Sequence, residues 1–269
     1  MGGKSAIVPF PRSRLARFPV GELGSDHHKD VVLLEVDITR ARQRLRNESG
    51  SERIQLQSWL ATQVAVSIRN HPEVHASQQR NSGATDAVHV RIAIERTFAD
   101  RRVPIQLLLA HADSRDASDL VEQIEAAMDQ APTCEEIVFG GTGARGALRT
   151  VFRRLPSRTQ QACALRVLES GRPLRAAQRL PGRTVSLLSV GSGARVRGWF
   201  IPRAADPVAI GVGAVSQKAA VINGRIEPRE IVHLSVLLDS KSGQSDAASR
   251  WLSSLIKGME GAFRPIPVS

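Results

Sequence analysis

Few residues in this chain are spaced for chemistry, and each arrangement has a plain competitor. His71-Pro72-Glu73-Val74-His75 sets two histidines four apart, the separation of a helical metal pair. Pro72 disrupts any helix that would align them, and no third ligand is evident, so no metal is expected. Gly141-Thr142-Gly143-Ala144-Arg145-Gly146 follows the strand-like Ile137-Val138-Phe139 and precedes a possible helix from Ala147 to Leu155. Glycines so placed let a backbone approach a pyrophosphate at a helix start. Yet no acid stands about 20 positions on to hold a ribose, and no βαβ series follows, which leaves a loop as the competing reading. Cys134 and Cys163 are too few and too far apart for a disulfide framework or a four-thiolate site, which suits a reducing cytosol. His27-His28, beside Asp26 and Lys29, reads as part of a solvated arm, and Ser242 and Ser245 suit a turn and a helix cap.

The strongest local bias is basic. Arginine recurs at 145, 149, 153, 154, 158, 166, 172, 175, 179 and 183 against one acid, Glu169. If Ala147 to Leu155 is helical, Arg145, Arg149, Arg153 and Arg154 form a face opposite Leu148, Val151 and Leu155. Such a face either grips phosphates by forked, charge-assisted bonds or is simply solvated. The formal charge of +11 favours anionic partners. Nucleic acid is disfavoured among them, because aromatics are 4%, Tyr is absent and the arginine-rich stretch holds only Phe152 for stacking.

The elements that position these residues are legible in the pattern. Val31 to Asp37 reads as a buried strand, with Asp37 or Thr39 capping a helix through Leu45. Leu56, Leu60, Val64 and Ile68 repeat with helical spacing from Ile54 to His71, ending before Pro72. Val88 to Ile94 and Val103 to Ala110 read as strands, and Ser114 to Met128 as an amphipathic helix. Short basic helices broken by Pro156, Pro173 and Pro181 follow. Next come strands at Thr184 to Val190 and Val208 to Val215, a hairpin at Val221 to Ile226 turning on Asn223-Gly224, and a strand at Ile231 to Leu238. A last helix runs from Asp246 to about Gly261. The expected organisation is an arm (1–28), one α/β domain (29–262, with an arginine-rich insert at about 144–183) and a short tail (263–269). No apolar run reaches the roughly 20 residues of a membrane span and no signal core opens the chain, so a cytoplasmic protein with no membrane partner is expected.

Read in order, these elements resemble the catalytic domain of the dihydrolipoyl acyltransferase family of 2-oxo acid dehydrogenase complexes. The likeness rests on Leu34-Glu35-Val36-Asp37-Ile38-Thr39, His71-Pro72-Glu73-Val74, Ser189-Val190-Gly191, Ala209-Ile210-Gly211-Val212-Gly213, Glu227-Pro228-Arg229-Glu230 and Ala247-Ala248-Ser249-Arg250-Trp251-Leu252. It implies a chloramphenicol acetyltransferase-like, two-layer α/β fold with a mixed sheet and packing helices. It also implies a homotrimer whose active site lies between subunits.

The resemblance also locates the chemistry. Where many members carry D-H-R-x-x-D-G, this chain has Asp239-Ser240-Lys241-Ser242-Gly243-Gln244-Ser245, so Ser240 stands at the catalytic histidine and Gln244 at the second aspartate. The family's histidine takes a proton from the thiol of coenzyme A or dihydrolipoamide, and a serine hydroxyl has no such basicity near pH 7. Lys241 would serve only if burial lowered its pKa strongly. Ser189 aligns with the family's oxyanion-binding hydroxyl. The ligands implied are coenzyme A or acyl-CoA, held by Arg149, Arg153, Arg154 and Arg195, or an acidic carrier protein. No covalent lipoyl group is expected, since no lipoyl domain or Ala/Pro-rich linker is evident. Two readings stay open: acyl transfer or another reaction on a thioester without the histidine, and a catalytically silent trimeric scaffold or partner subunit.

Overall fold

The computed structural model describes residues 29–48, 50–78, 87–139, 147–170, 183–189, 198–203, 206–239 and 245–261. β1 (Lys29–Asp37) turns into α1 (Thr39–Leu45) through Asp37, whose Oδ1 accepts bonds from the Thr39 amide at 2.9 Å and the Thr39 hydroxyl at 2.5 Å. α2 (Glu52–Asn70) buries Leu60, Val64 and Ile68 along one stripe and stops where Pro72 begins a 3-10 helix, Pro72–Gln78. β2 (Val88–Phe98) and β3 (Arg101–Leu109) make a hairpin, and α3 (Ala117–Asp129) follows. Then come α4 (Cys134–Phe139), α5 (Ala147–Arg153), α6 (Ser157–Ser170), β4 (Arg183–Ser189), β5 (Val208–Ile222), β6 (Arg225–Asp239) and α7 (Ser245–Gly261).

The strands form one mixed sheet in the order β1-β6-β5-β4-β2-β3. β4 runs parallel to both β2 and β5, and the remaining pairs are antiparallel. Alternation splits the residues between two faces. On one, Val36, Val90, Ile92, Val185, Leu187, Ile210 and Leu234 join Leu60 and Val64 of α2, Leu120 and Ile124 of α3 and Trp251 and Leu255 of α7 in the main core. The other has only a small cluster, Leu188, Ala209 and Leu237, against which Ala93 and Phe200 pack.

That second face is crossed by a strap, residues 198–203. The Ser235 hydroxyl donates to the Phe200 carbonyl, and Trp199 Nε1 donates to the Leu34 carbonyl at 3.1 Å, so the strap is fastened to β6 and β1. Gly211 permits this approach: a Cβ there would collide with the Phe200 oxygen, and one at Gly213 with the Gly198 oxygen. Among the described residues nothing covers the face beyond the strap, and Val31 and Leu33 are 44% and 49% exposed.

Two sequence expectations need correction. Ile137-Val138-Phe139 lies in α4, not in a strand, because Thr133 and Glu136 form a reciprocal capping box: each side chain accepts from the other's amide, at 2.8 and 3.1 Å. The hairpin at Asn223-Gly224 is present, but the separate strands expected on either side of it run into it as two 15-residue strands, with a bulge between Val212 and Val215. Ser216, Gln217 and Lys218 look like an interruption because β5 beyond Val212 has only β6 beside it and is solvated. β5 is interior to the sheet, whereas β1 is an edge strand.

Candidate functional site

β6 ends at Asp239, and the open face beside that end is polar. Asp239 is 3% exposed, and its amide donates to the Pro207 carbonyl at 3.0 Å. Lys29 is its cross-strand partner on β1, and Lys29 Nζ donates to the Asp206 carbonyl at 2.5 Å. Asp206, just ahead of β5, accepts from Arg91 Nη1 at 3.1 and 3.3 Å and from the Ser186 hydroxyl. Arg91 and Ser186 are register partners on β2 and β4. Two cations, Lys29 and Arg91, thus balance two carboxylates, Asp206 and Asp239.

Electrostatics explain why the row holds together. Burial lowers the Lys29 pKa from its ordinary value, and the charges of Asp206 and Asp239 oppose that shift. Arg91 and Asp206 keep only 10% and 12% of their side chains exposed, so each charge is held by its partner. Nearby, His75 Nε2 lies 2.9 Å from the Thr184 carbonyl, which only accepts, so Nε2 carries the proton. Burial lowers the His75 pKa, partly offset by that bond and by Asp206. The row ties β1, β2 and β4 to Asp206 at one end of the open face.

Of the residues singled out from sequence, Ser240, Lys241, Gln244 and Arg195 lie outside the described residues, as do Gly141–Gly146 and His27-His28. Ser189 ends β4, half-buried, and shares the alternation of Val185 and Leu187 rather than that of Ser186. The register separates it from Asp239. Ser189 pairs with Val212 and Val212 with Leu234, so Ser189 sits level with a point five residues, about 17 Å, short of Asp239. Arg149 and Arg153 lie on α5, and Arg154 follows it directly. Arg153 Nε donates to Glu135 Oε2 at 2.8 Å, an exposed pair that already answers its charge. His71 Nδ1 faces Glu73 at 3.4 Å, so the two spaced histidines engage different partners. Cys134 and Cys163 are free, and burial pushes the Cys134 thiol up.

Sequence reasoning missed Lys29, Arg91, Ser186 and Asp206. The available signal was alternation: Arg91 and Ser186 fall on the same face of neighbouring strands, where a lone buried arginine requires a carboxylate. Asp206 stands 115 residues from Arg91 and gives no local sign of the pairing.

No family model matches this chain, and no curated protein matches it. Solved structures do. A probable dihydrolipoamide acetyltransferase from Listeria monocytogenes 4b F2365 is 15% identical with a TM-score of 0.56, the likeness covering 98% of this chain and 97% of that one. The cubic core of the pyruvate dehydrogenase multienzyme complex is 14% identical with a TM-score of 0.57, over 96% and 92%. Dihydrolipoamide acetyltransferase of Azotobacter vinelandii, investigated for the roles of a serine, a histidine and an asparagine in its catalytic mechanism, is 15% identical with a TM-score of 0.57, over 96% and 92%. At such identities the likeness is one of architecture. The six-stranded mixed sheet with helices packed on one face is the chloramphenicol acetyltransferase-like fold, and this chain has the fold of a dihydrolipoamide acyltransferase catalytic core.

Proposed function

We propose that this chain assembles as a homotrimer that binds a thioester of coenzyme A or of an acidic carrier protein in a site between subunits, and acts on it without a histidine base. The observation that carries this reading is the separation of Ser189 from Asp239, about 17 Å along the sheet. One carbonyl cannot be reached from both places within a protomer, so a joint site needs a second copy. The open face supports assembly, since Val31, Leu33, Trp199 and Ile201 are 44, 49, 40 and 55% exposed around the strap. In this reading Ser189 donates to the thioester oxygen, Ser240 leaves the thiol to be deprotonated by solvent or by another group, and Lys241 and Gln244 line the loop. The net charge of +11 favours a CoA or an acidic carrier.

One observation favours a silent scaffold instead: Arg153 is already paired with Glu135, and Arg91 with Asp206, which leaves fewer uncommitted cations for a ligand. Sedimentation equilibrium and acyl-CoA calorimetry on the same sample decide the matter. A trimer that binds acyl-CoA, with binding or turnover weakened by Ser189→Ala and not by Ser157→Ala at the exposed start of α6, supports the thioester site. A trimer that binds no thioester leaves the scaffold, and a monomer ends both readings.

A further inference from the structure

A groove on the far side of the molecule from the strap has a composition that the thioester reading does not use. α7 buries Ala247, Trp251, Leu255 and Met259, each at most 2% exposed, which turns Ser249, Arg250, Ser253, Ser254 and Lys257 outward. With His71, at the end of α2, these residues line a shallow, solvent-open groove of about 590 Å³. That volume lies in the range of small-molecule sites, roughly 300–1,000 Å³. Three basic side chains and three hydroxyls face the same space, and among the described residues no carboxylate lines it.

The spacing makes the set convergent. Arg250 and Ser254 are four apart, as are Ser253 and Lys257, so each cation stands one helical turn from a hydroxyl on its own side of the groove. Arg250 and Lys257 are seven apart and share a face, with Ser253 and Ser254 between them. His71 closes the other wall; its Nδ1 is turned to Glu73, which leaves Nε2 for the groove. The Glu73 carboxyl is held below its usual range, first by its own backbone bond, then by His71, with the Arg250 charge contributing. Among the described residues neither Arg250 nor Lys257 forms an ion pair, unlike Arg42, Arg91, Arg96 and Arg153.

We propose that this groove is a phosphoryl-anion site: the phosphate sits over Ser253 and Ser254, accepts their hydroxyls, and is bracketed by Arg250 and Lys257 with His71 opposite. Arginine's fork and the lysine ammonium suit the oxygens of a phosphate monoester or a diphosphate, and the volume leaves room for an organic group attached to it. The site is independent of whether the 240 loop handles a thioester.

The test is calorimetric titration of the full chain with inorganic diphosphate and, separately, with adenosine 3′,5′-bisphosphate. The proteins are the unaltered chain, Arg250→Gln, Lys257→Gln, their double variant and Arg158→Gln as a control on the exposed part of α6. Each single change should weaken diphosphate binding roughly fivefold, the effect of about 1 kcal/mol at an exposed charge, while the control leaves it unchanged. Tighter binding of the bisphosphate than of diphosphate would identify a phosphorylated metabolite as the ligand, and the reverse would identify the free anion. No saturable binding of either at millimolar concentration overturns the proposal, as does a double variant that binds like the unaltered chain. Binding of an acidic peptide without binding of either phosphate would overturn it too, in favour of a protein-docking face. Circular dichroism of each variant guards against misfolding, which substitution at these exposed positions gives no reason to expect.

Discussion

Gly211→Ala tests whether the strap lies on the sheet. Its backbone is ordinary extended strand, so alanine there costs nothing in torsion, and the entire effect is the new Cβ against the Phe200 oxygen, the Ser235 hydroxyl and Pro202 Cδ, the last 2.6 Å away. The chain can respond by crowding or by release. Crowding costs about 1–3 kcal/mol, as in other overpacked sites. Release forfeits the Ser235 and Trp199 bonds, about 1 kcal/mol each, and the packing of Phe200 on Leu188, Ala209 and Leu237, about 1 kcal/mol more. The loss therefore lies near 1–3 kcal/mol by crowding and about 3 kcal/mol by release. Urea unfolding of Gly211→Ala against the parent measures it, and Trp199 fluorescence tells the routes apart, because Trp59 and Trp251 are buried elsewhere. Gly224→Ala is the comparison: nothing lies within 4 Å of its Cβ, but its φ of +77° makes the cost torsional, about 1 kcal/mol. A Gly211→Ala protein within about 0.5 kcal/mol of the parent, with unchanged Trp199 emission, would refute the placement of the strap.

Asp206→Asn leaves Arg91 without its carboxylate and should cost about 3 kcal/mol in urea unfolding; a loss under 1 kcal/mol would mean that the pair is solvated. His75 has a folded pKa below the ordinary 6.5, so its contribution to stability is full above pH 6.5 and falls as pH drops through that value; His75→Gln should flatten this part of the stability–pH curve, and an unchanged slope would show that another group is responsible. Ala99→Gly should stabilise by about 1 kcal/mol, since Ala99 turns the β2–β3 hairpin at a φ of +47°, and a lower melting temperature would contradict this. Acetyl transfer from acetyl-CoA to dihydrolipoamide should run 10²- to 10⁴-fold below a histidine-bearing acyltransferase, on the order of one lost general base, and a rate within about tenfold would show that another residue supplies the base.

Long periodic elements were the legible part. α2, with Leu60, Val64 and Ile68 on one stripe and Pro72 at its end, announces itself over five turns, and Asn223-Gly224 fixes its hairpin locally. Ile137-Val138-Phe139 misled because three apolar residues carry no period; the cue was Thr133 and Glu136, a capping box one step earlier. The site was less legible. Alignment can name positions such as Ser189 and Ser240, but the Arg91–Asp206 pair is a contact between strands 115 residues apart, and only sheet order brings it together. Order of elements fixed the architecture at 15% identity because burial periodicity survives substitutions that erase side-chain identity.

The pairing of Lys29 with Asp239 has a practical consequence for anyone who attaches something to this protein. Antiparallel pairing of β1 and β6 makes the start of the first strand and the end of the last strand neighbours, so whatever is fused directly ahead of residue 29 joins the domain beside the loop that follows Asp239. An affinity handle there competes with any ligand or second copy for the same space. One attached after α7 leaves from the opposite end of a 17-residue helix, about 25 Å from that loop, and reports on the domain without obstructing it.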